Sequence, residues 1–142
     1  MPETAVLIGI SVPIGEAGIT SDAWDPNFRF SFAHTLSEKL SLGYNLGMVW
    51  ETEQNGTDDT TLGKFQYTAA LGIGLTEKVG AFIELFGDIP MSATSGAANS
   101  VDGGVTYLLL DNLQLDVATG LGLSDTADDW FLGLGVSWRF PN

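Results

Sequence analysis

The sequence predicts an all-β chain: an eight-stranded antiparallel up-and-down transmembrane β-barrel in a single domain, residues 1–142. Three observations carry this reading. Segments of about ten residues alternate large apolar side chains with small or polar ones, the period of a strand with one face in an apolar medium. The connections between them alternate long and short, as in a row of hairpins. The charged side chains keep off the apolar face of every segment.

The last segment shows the pattern best. In Asp129 to Phe140, DWFLGLGVSWRF, one face holds Trp130, Leu132, Leu134, Val136, Trp138 and Phe140. The other holds Phe131, Gly133, Gly135, Ser137 and Arg139. Aromatics at both ends with aliphatics between them suit a strand whose rings sit at two headgroup levels.

The remaining strands follow from the N-terminus. The first is Thr4 to Val12, alternating Val6, Ile8, Ile10 and Val12, and Pro13 ends it. A Gly- and Asp-containing loop, Ile14 to Pro26, leads to the second, Asn27 to Thr35, where Phe28, Phe30, Phe32 and His34 oppose Arg29, Ser31, Ala33 and Thr35. After the tight turn LSEK comes the third, Leu40 to Trp50, with Leu42, Tyr44, Leu46, Met48 and Trp50 on one side and Asn45 among the residues opposite. The polar loop Thr52 to Thr60 carries an Asn-Gly turn signal.

The fourth strand, Leu62 to Leu75, sets Phe65, Tyr67, Leu71 and Ile73 against Lys64, Gln66, Thr68 and Gly72. A second tight turn, Thr76-Glu77-Lys78, starts the fifth at Val79, with Ala81, Ile83 and Leu85 facing away from Phe82, Glu84 and Phe86. A small-residue loop, Asp88 to Ser100, precedes the sixth strand, Val101 to Leu109, whose Val105, Tyr107 and Leu109 oppose Asp102, Gly104 and Thr106. A turn at Asp111-Asn112 gives the seventh, Leu113 to Ser124, with Gln114 and Asp116 on its polar side. The short turns LSEKL, LTEKV and LLDNL form a repeated hairpin. Short turns at one end and long loops at the other match outer-membrane barrels, with both termini on the periplasmic side.

Charge is segregated in the same sense. The long-loop end takes Glu16, Asp22, Asp25, Glu51, Glu53, Asp58, Asp59, Asp88, Asp125, Asp128 and Asp129, with no Lys or Arg. Arg29, Lys64, Glu84, Asp102, Asp116 and Arg139 fall on the small, polar face. Arg or Lys facing lipid near the midplane costs about 2–4 kcal/mol, so this placement is what a membrane barrel requires. A soluble barrel of lipocalin type would reverse the faces and put Gly, Ala, Ser and Thr in water.

Composition bounds the rest. The net charge of −13 with only five Lys and Arg argues against nucleic acid as a partner. A hydrophobic content of 44% argues against disorder. No run of about 18 apolar residues could form a membrane-crossing helix. No basic segment followed by an apolar core opens the chain, so an exported protein would begin at Met1-Pro2 after removal of a signal peptide.

Three stretches carry a resemblance: VDGGVTYLLLDNLQLDVATGLGLSDTADDWFLGLGVSWRF (Val101 to Phe140), SEKLSLGYNLGMVW (Ser37 to Trp50) and TEKVGAFIELFGDIP (Thr76 to Pro90). On these the chain resembles the bacterial outer-membrane transporter family of meta-pathway phenol degradation proteins, in its C-terminal barrel portion. The resemblance implies a Gram-negative outer-membrane barrel with small organic or aromatic compounds as cargo. Members of that family are longer, with a signal peptide and further N-terminal strands.

No catalytic chemistry is expected, and no cofactor or metal. The one histidine, His34, falls near the short-turn end of an apolar face and suits an interfacial residue. The Gly-x-Gly patterns sit in mid-strand without the helix that a phosphate loop needs. The acidic loops suit a solvated surface better than a defined cation site. The candidate lining of the lumen is Arg29, Asn45, Lys64, Gln66, Glu84, Asp102, Gln114, Asp116 and Arg139, with Asp116 and Arg139 placed to pair on neighbouring strands. Trp50, Phe65, Tyr67, Tyr107, Trp130, Trp138 and Phe140 are the expected membrane-interface aromatics. Three roles stay open: a narrow, cation-preferring pore or transporter, a non-conducting scaffold with a polar plug, and a soluble ligand-binding barrel. The expected surroundings are outer-membrane lipid or detergent around a monomer.

Overall fold

The computed structural model describes residues 2–14, 23–55, 58–92 and 96–140, apart from the side chains of 53–55 and 58–59. The strands are β1 (Glu3–Ser11), β2 (Asp25–Thr35), β3 (Leu40–Asn55), β4 (Asp58–Gly74), β5 (Val79–Pro90), β6 (Ala98–Leu110), β7 (Leu113–Gly122) and β8 (Trp130–Trp138). They form one sheet in chain order, and every neighbouring pair is antiparallel. β1 and β8 each pair on one side only, so the sheet is open where the sequence led us to expect closure.

Register keeps the two faces apart across the whole width. Thr4, Phe32, Tyr44, Ala69, Leu85, Val101, Leu121 and Trp130 each lie opposite the next, forming one straight row on the apolar face. One row over, Ala70, Glu84, Asp102, Gly120 and Phe131 do the same on the small, polar face. A slip of one residue at any pairing would turn that strand over, and none occurs within these rows. β6 absorbs one irregularity, between Leu108 and Leu110, next to the turn into β7.

The short turns are locally determined. Ser37 Oγ accepts hydrogen bonds from the Lys39 and Leu40 amides at 3.3 and 3.1 Å. Thr76 Oγ1 does the same for Lys78 and Val79 at 3.2 and 2.9 Å. A hydroxyl that captures amides two and three residues on fixes a tight turn without help from the rest of the fold. The Lys39 carbonyl also accepts the Gly74 amide, which holds the first two turns together.

Two expected loops are largely strand. Thr52 to Asn55 and Asp58 to Thr60 join the ladder, with Thr52 opposite Thr61 and Asn55 opposite Asp58. The Asn-Gly signal there includes Gly56, which lies outside the described residues. The stretch from Asp88 to Ser100 likewise gives its first residues to β5 and its last to β6. In both places paired threonines or backbone complementarity outweigh polar composition, because strand preference is set by cross-strand neighbours. At the other extreme, β8 stops at Trp138, and Arg139 and Phe140 lie beyond it.

Exposure runs opposite to that of a water-soluble sheet. Ile8 is 84% exposed and Leu134 83%, and no apolar side chain among the described residues is buried. Along β8 the half-buried residues are Phe131, Gly133 and Gly135, while Trp130, Leu132, Leu134 and Val136 are exposed. From β5 to β8 the small, polar face is the sheltered one, whereas on β2 Arg29, Ala33 and Thr35 are exposed and Phe28, Phe32 and His34 half-buried. Folded soluble chains bury their large apolar residues and rarely leave apolar patches of this extent.

Candidate functional site

The sheltered face carries a polar band near its middle. Arg29 on β2 lies opposite Gly47 on β3, which in turn lies opposite Gln66 on β4. With no side chain on Gly47, the Arg29 guanidinium donates across β3 to Gln66 Oε1 at 3.5 Å. Beside it Asn45 Nδ2 donates to Thr68 Oγ1 at 2.7 Å. Glu84 on β5 stands within reach of Thr68 and of the Arg29 charge, and directly opposite Asp102 on β6. The Oδ1 atom of Asp102 is buried with no hydrogen-bond partner among the described residues.

Three aromatic rings frame this carboxylate pair. Phe82 and Phe86 flank Glu84 on the same face of β5. Phe131 reaches inward from β8. Neighbouring strands lie about 4.8 Å apart, so β5 and β8 are separated by about 14 Å along the sheet. The Phe86 and Phe131 rings nevertheless meet edge to face with centroids 5.9 Å apart. The face therefore curls inward here. Glycines permit the approach: Phe131 lies over Gly120, where a Cβ would collide with its ring and with Asp102 Cβ. Phe82 lies over Gly104 in the same manner.

Higher on the sheet, Lys64 on β4 forms an ion pair with Glu51 on β3. The sequence placed Glu51 in the solvated loop end; the extension of β3 beyond Trp50 brings it to Lys64 instead. Both partners are partly exposed, so Glu51→Gln is expected to cost less than about 1 kcal/mol in an unfolding titration. A second acidic residue also leaves the loop end. Asp25 opens β2 at 5% exposure, and its Oδ1 accepts hydrogen bonds from the Thr52 amide at 3.1 Å and the Thr52 hydroxyl at 2.9 Å.

One expected pair does not form. Asp116 lies opposite Gly135, with its carboxylate over the glycine, while Arg139 sits past the end of β8 and donates to the Asp111 carbonyl at 3.2 Å. Arg139 turns to the third short turn because its own amide bonds to the Asn112 carbonyl. Gln114 lies near it, opposite Ser137. Among the expected lining residues, the structure thus groups Arg29, Asn45, Gln66, Glu84 and Asp102, sets Lys64 above them, and leaves Gln114, Asp116 and Arg139 near the short-turn end.

The named aromatics that belong to strands all lie on the apolar face. Trp50 is on β3, Phe65 and Tyr67 on β4, Tyr107 on β6, and Trp130 and Trp138 on β8. The Phe140 ring lies against Trp138, tilted by 41° with ring centroids 4.1 Å apart. Tyr67 bonds through its hydroxyl to Asn99 Oδ1 at 2.6 Å, so part of its polar end is used within the sheet. His34 stacks on Tyr44, its Nε2 3.3 Å from the Tyr44 hydroxyl.

Sequence reading put Phe82, Phe86 and Phe131 on the polar face but gave them no role. Large rings at three positions of a face otherwise made of small, polar and charged residues were the available signal. Together the groups form a partly sheltered surface with carboxylates and amides beside aromatic rings and one exposed guanidinium, that of Arg29. Such a surface can bind the ring of a small organic molecule by edge or face contact and hold a polar substituent by hydrogen bonding.

No curated protein matches the chain. The family model described as "Putative MetA-pathway of phenol degradation" matches residues 1–140, and the chain belongs to that family.

Proposed function

We propose that this chain spans a bacterial outer membrane as a closed monomeric barrel, its apolar face in lipid and its polar face lining a narrow passage for small aromatic molecules. The observation that carries the reading is the inverted exposure from β5 to β8: the apolar side is outward and the small, polar side is sheltered. In hydrocarbon every backbone N–H and C=O must be paired, and a closed sheet does this where an open one does not. The rings of Phe82, Phe86 and Phe131 beside Glu84 and Asp102 give the passage its chemistry for aromatic cargo, and the family description is in keeping with it. A soluble ligand-binding barrel would need the opposite arrangement of faces.

The test is conductance across a planar bilayer after refolding in detergent. Discrete current steps are expected, with cation preference reduced in Glu84→Gln and in Asp102→Asn. A protein that inserts, shows β-sheet dichroism and resists heat in gel shift, yet passes no current, sinks the passage. The second reading, a polar plug, rests on the bonds that already fill the face: Arg29 to Gln66, Asn45 to Thr68 and Lys64 to Glu51. The inside of eight strands is about wide enough for side chains alone, so these contacts suffice to close it.

A further inference from the structure

Resting on the passage read above, we propose that Phe131 is its selectivity-determining residue. The ring, braced by Phe86, covers Asp102 and limits how closely a cation approaches the Glu84–Asp102 pair. Both rings lie within β5 to β8, whose ladders are all formed, so their contact is independent of what pairs with the edges of the sheet.

Register sets the geometry. Glu84, Asp102, Gly120 and Phe131 lie opposite one another in turn across β5, β6, β7 and β8. Phe86 is one row away on the same face, opposite Ser100, which is opposite Gly122. For their centroids to come within 5.9 Å, the two rings must lean toward each other over β6 and β7. What they cross is small and sheltered: Gly120 is buried and Ser100 is 8% exposed.

Asp102 lies at the centre of this arrangement. Above Gly120 an added Cβ would collide at once with the Phe131 ring and with Asp102 Cβ, so the two side chains crowd one point. Asp102 Oδ1 is buried with no hydrogen-bond partner among the described residues, whereas Glu84 has Thr68 and Arg29 within reach. A buried carboxylate oxygen left unpaired is costly. The aromatic contact therefore holds Asp102 in an arrangement that its own hydration opposes. With the ring gone, Asp102 meets water and passing cations directly.

The experiment is thiol labelling, in a chain that has no cysteine of its own. Asp102→Cys is refolded into phosphatidylcholine vesicles, and its modification by a small cationic methanethiosulfonate is timed with and without Phe131→Ala. Gly133→Cys is the control, on the same face of β8, where a Cβ meets no atom within 4 Å. We expect Phe131→Ala to speed labelling at position 102 by about tenfold, the factor that an aromatic pair of ordinary strength holds in balance. Labelling of Gly133→Cys should not change. Phe86→Ala removes the brace from another strand and should act in the same direction, which separates uncovering from a folding defect peculiar to position 131. Equal rates at position 102 in all backgrounds would overturn the proposal. So would a rise at both positions, the mark of general loosening. In bilayer recordings Phe131→Ala should strengthen cation preference, and adding Asp102→Asn should cancel the gain; current without that gain also overturns the proposal. Faster labelling at position 102 with no current from any variant leaves Phe131 as the cover of Asp102 and removes the passage.

Discussion

Leu134→Arg is expected to destabilise the membrane-inserted protein by about 2–4 kcal/mol, the cost of a cationic side chain facing lipid near the midplane. Leu134 lies at the middle of β8 on the apolar face, opposite Val117, and is 83% exposed. In water that exposure would predict the reverse, since a surface substitution away from special features usually changes stability by no more than about 0.5 kcal/mol. Gly133→Arg supplies the control. It adds the same charge one residue away, on the opposite face, where a Cβ meets no atom within 4 Å. Urea unfolding from lipid vesicles, followed by tryptophan fluorescence, should separate the two variants by most of that penalty. Equal effects would mean that the faces are not in different media.

Gly104→Val should be the most damaging change on the sheltered side. A Cβ there would run into the Val117 carbonyl oxygen and the Phe82 ring. The carbonyl belongs to β7, whose ladder with β6 holds it in place, so the clash is relieved only by moving a strand. Overpacking of this kind costs about 1–3 kcal/mol. Phe82→Ala should return only part of it, because the backbone contact remains. Gly120→Ala is a different case, since the atoms nearest its Cβ would be side-chain atoms, of Phe131 and Asp102. There Phe131→Ala should recover most of the loss, and the double variants at the two glycines should differ accordingly in unfolding midpoint.

These contrasts mark how far the sequence could be read. The period of two assigned every residue of the rows through Thr4 and Ala70 to its face, because alternation is a property of one strand and needs no partner. The short turns were equally legible, since Ser37 and Thr76 act on amides two and three residues away. Asp25 was not: its partner, Thr52, lies 27 residues on, and neither residue announces a buried bond. The extension of β3 to Asn55 and the start of β4 at Asp58 were hidden by polar composition, and with them the Lys64–Glu51 pair. The expected Asp116–Arg139 contact failed for a related reason: β8 ends at Trp138, so Arg139 no longer follows the strand's alternation. The aromatic frame around Glu84 and Asp102 depends on register across four strands, which no single segment encodes.

The chain-order layout of the sheet bears on how the protein assembles. Each ladder joins strands that are neighbours in sequence, so hairpins can form one after another at small entropic cost. A seam between β1 and β8 would be the exception, uniting residues more than a hundred positions apart. Assembly would then be fast at every step but the last, and until that step both ends of the sheet stay sticky.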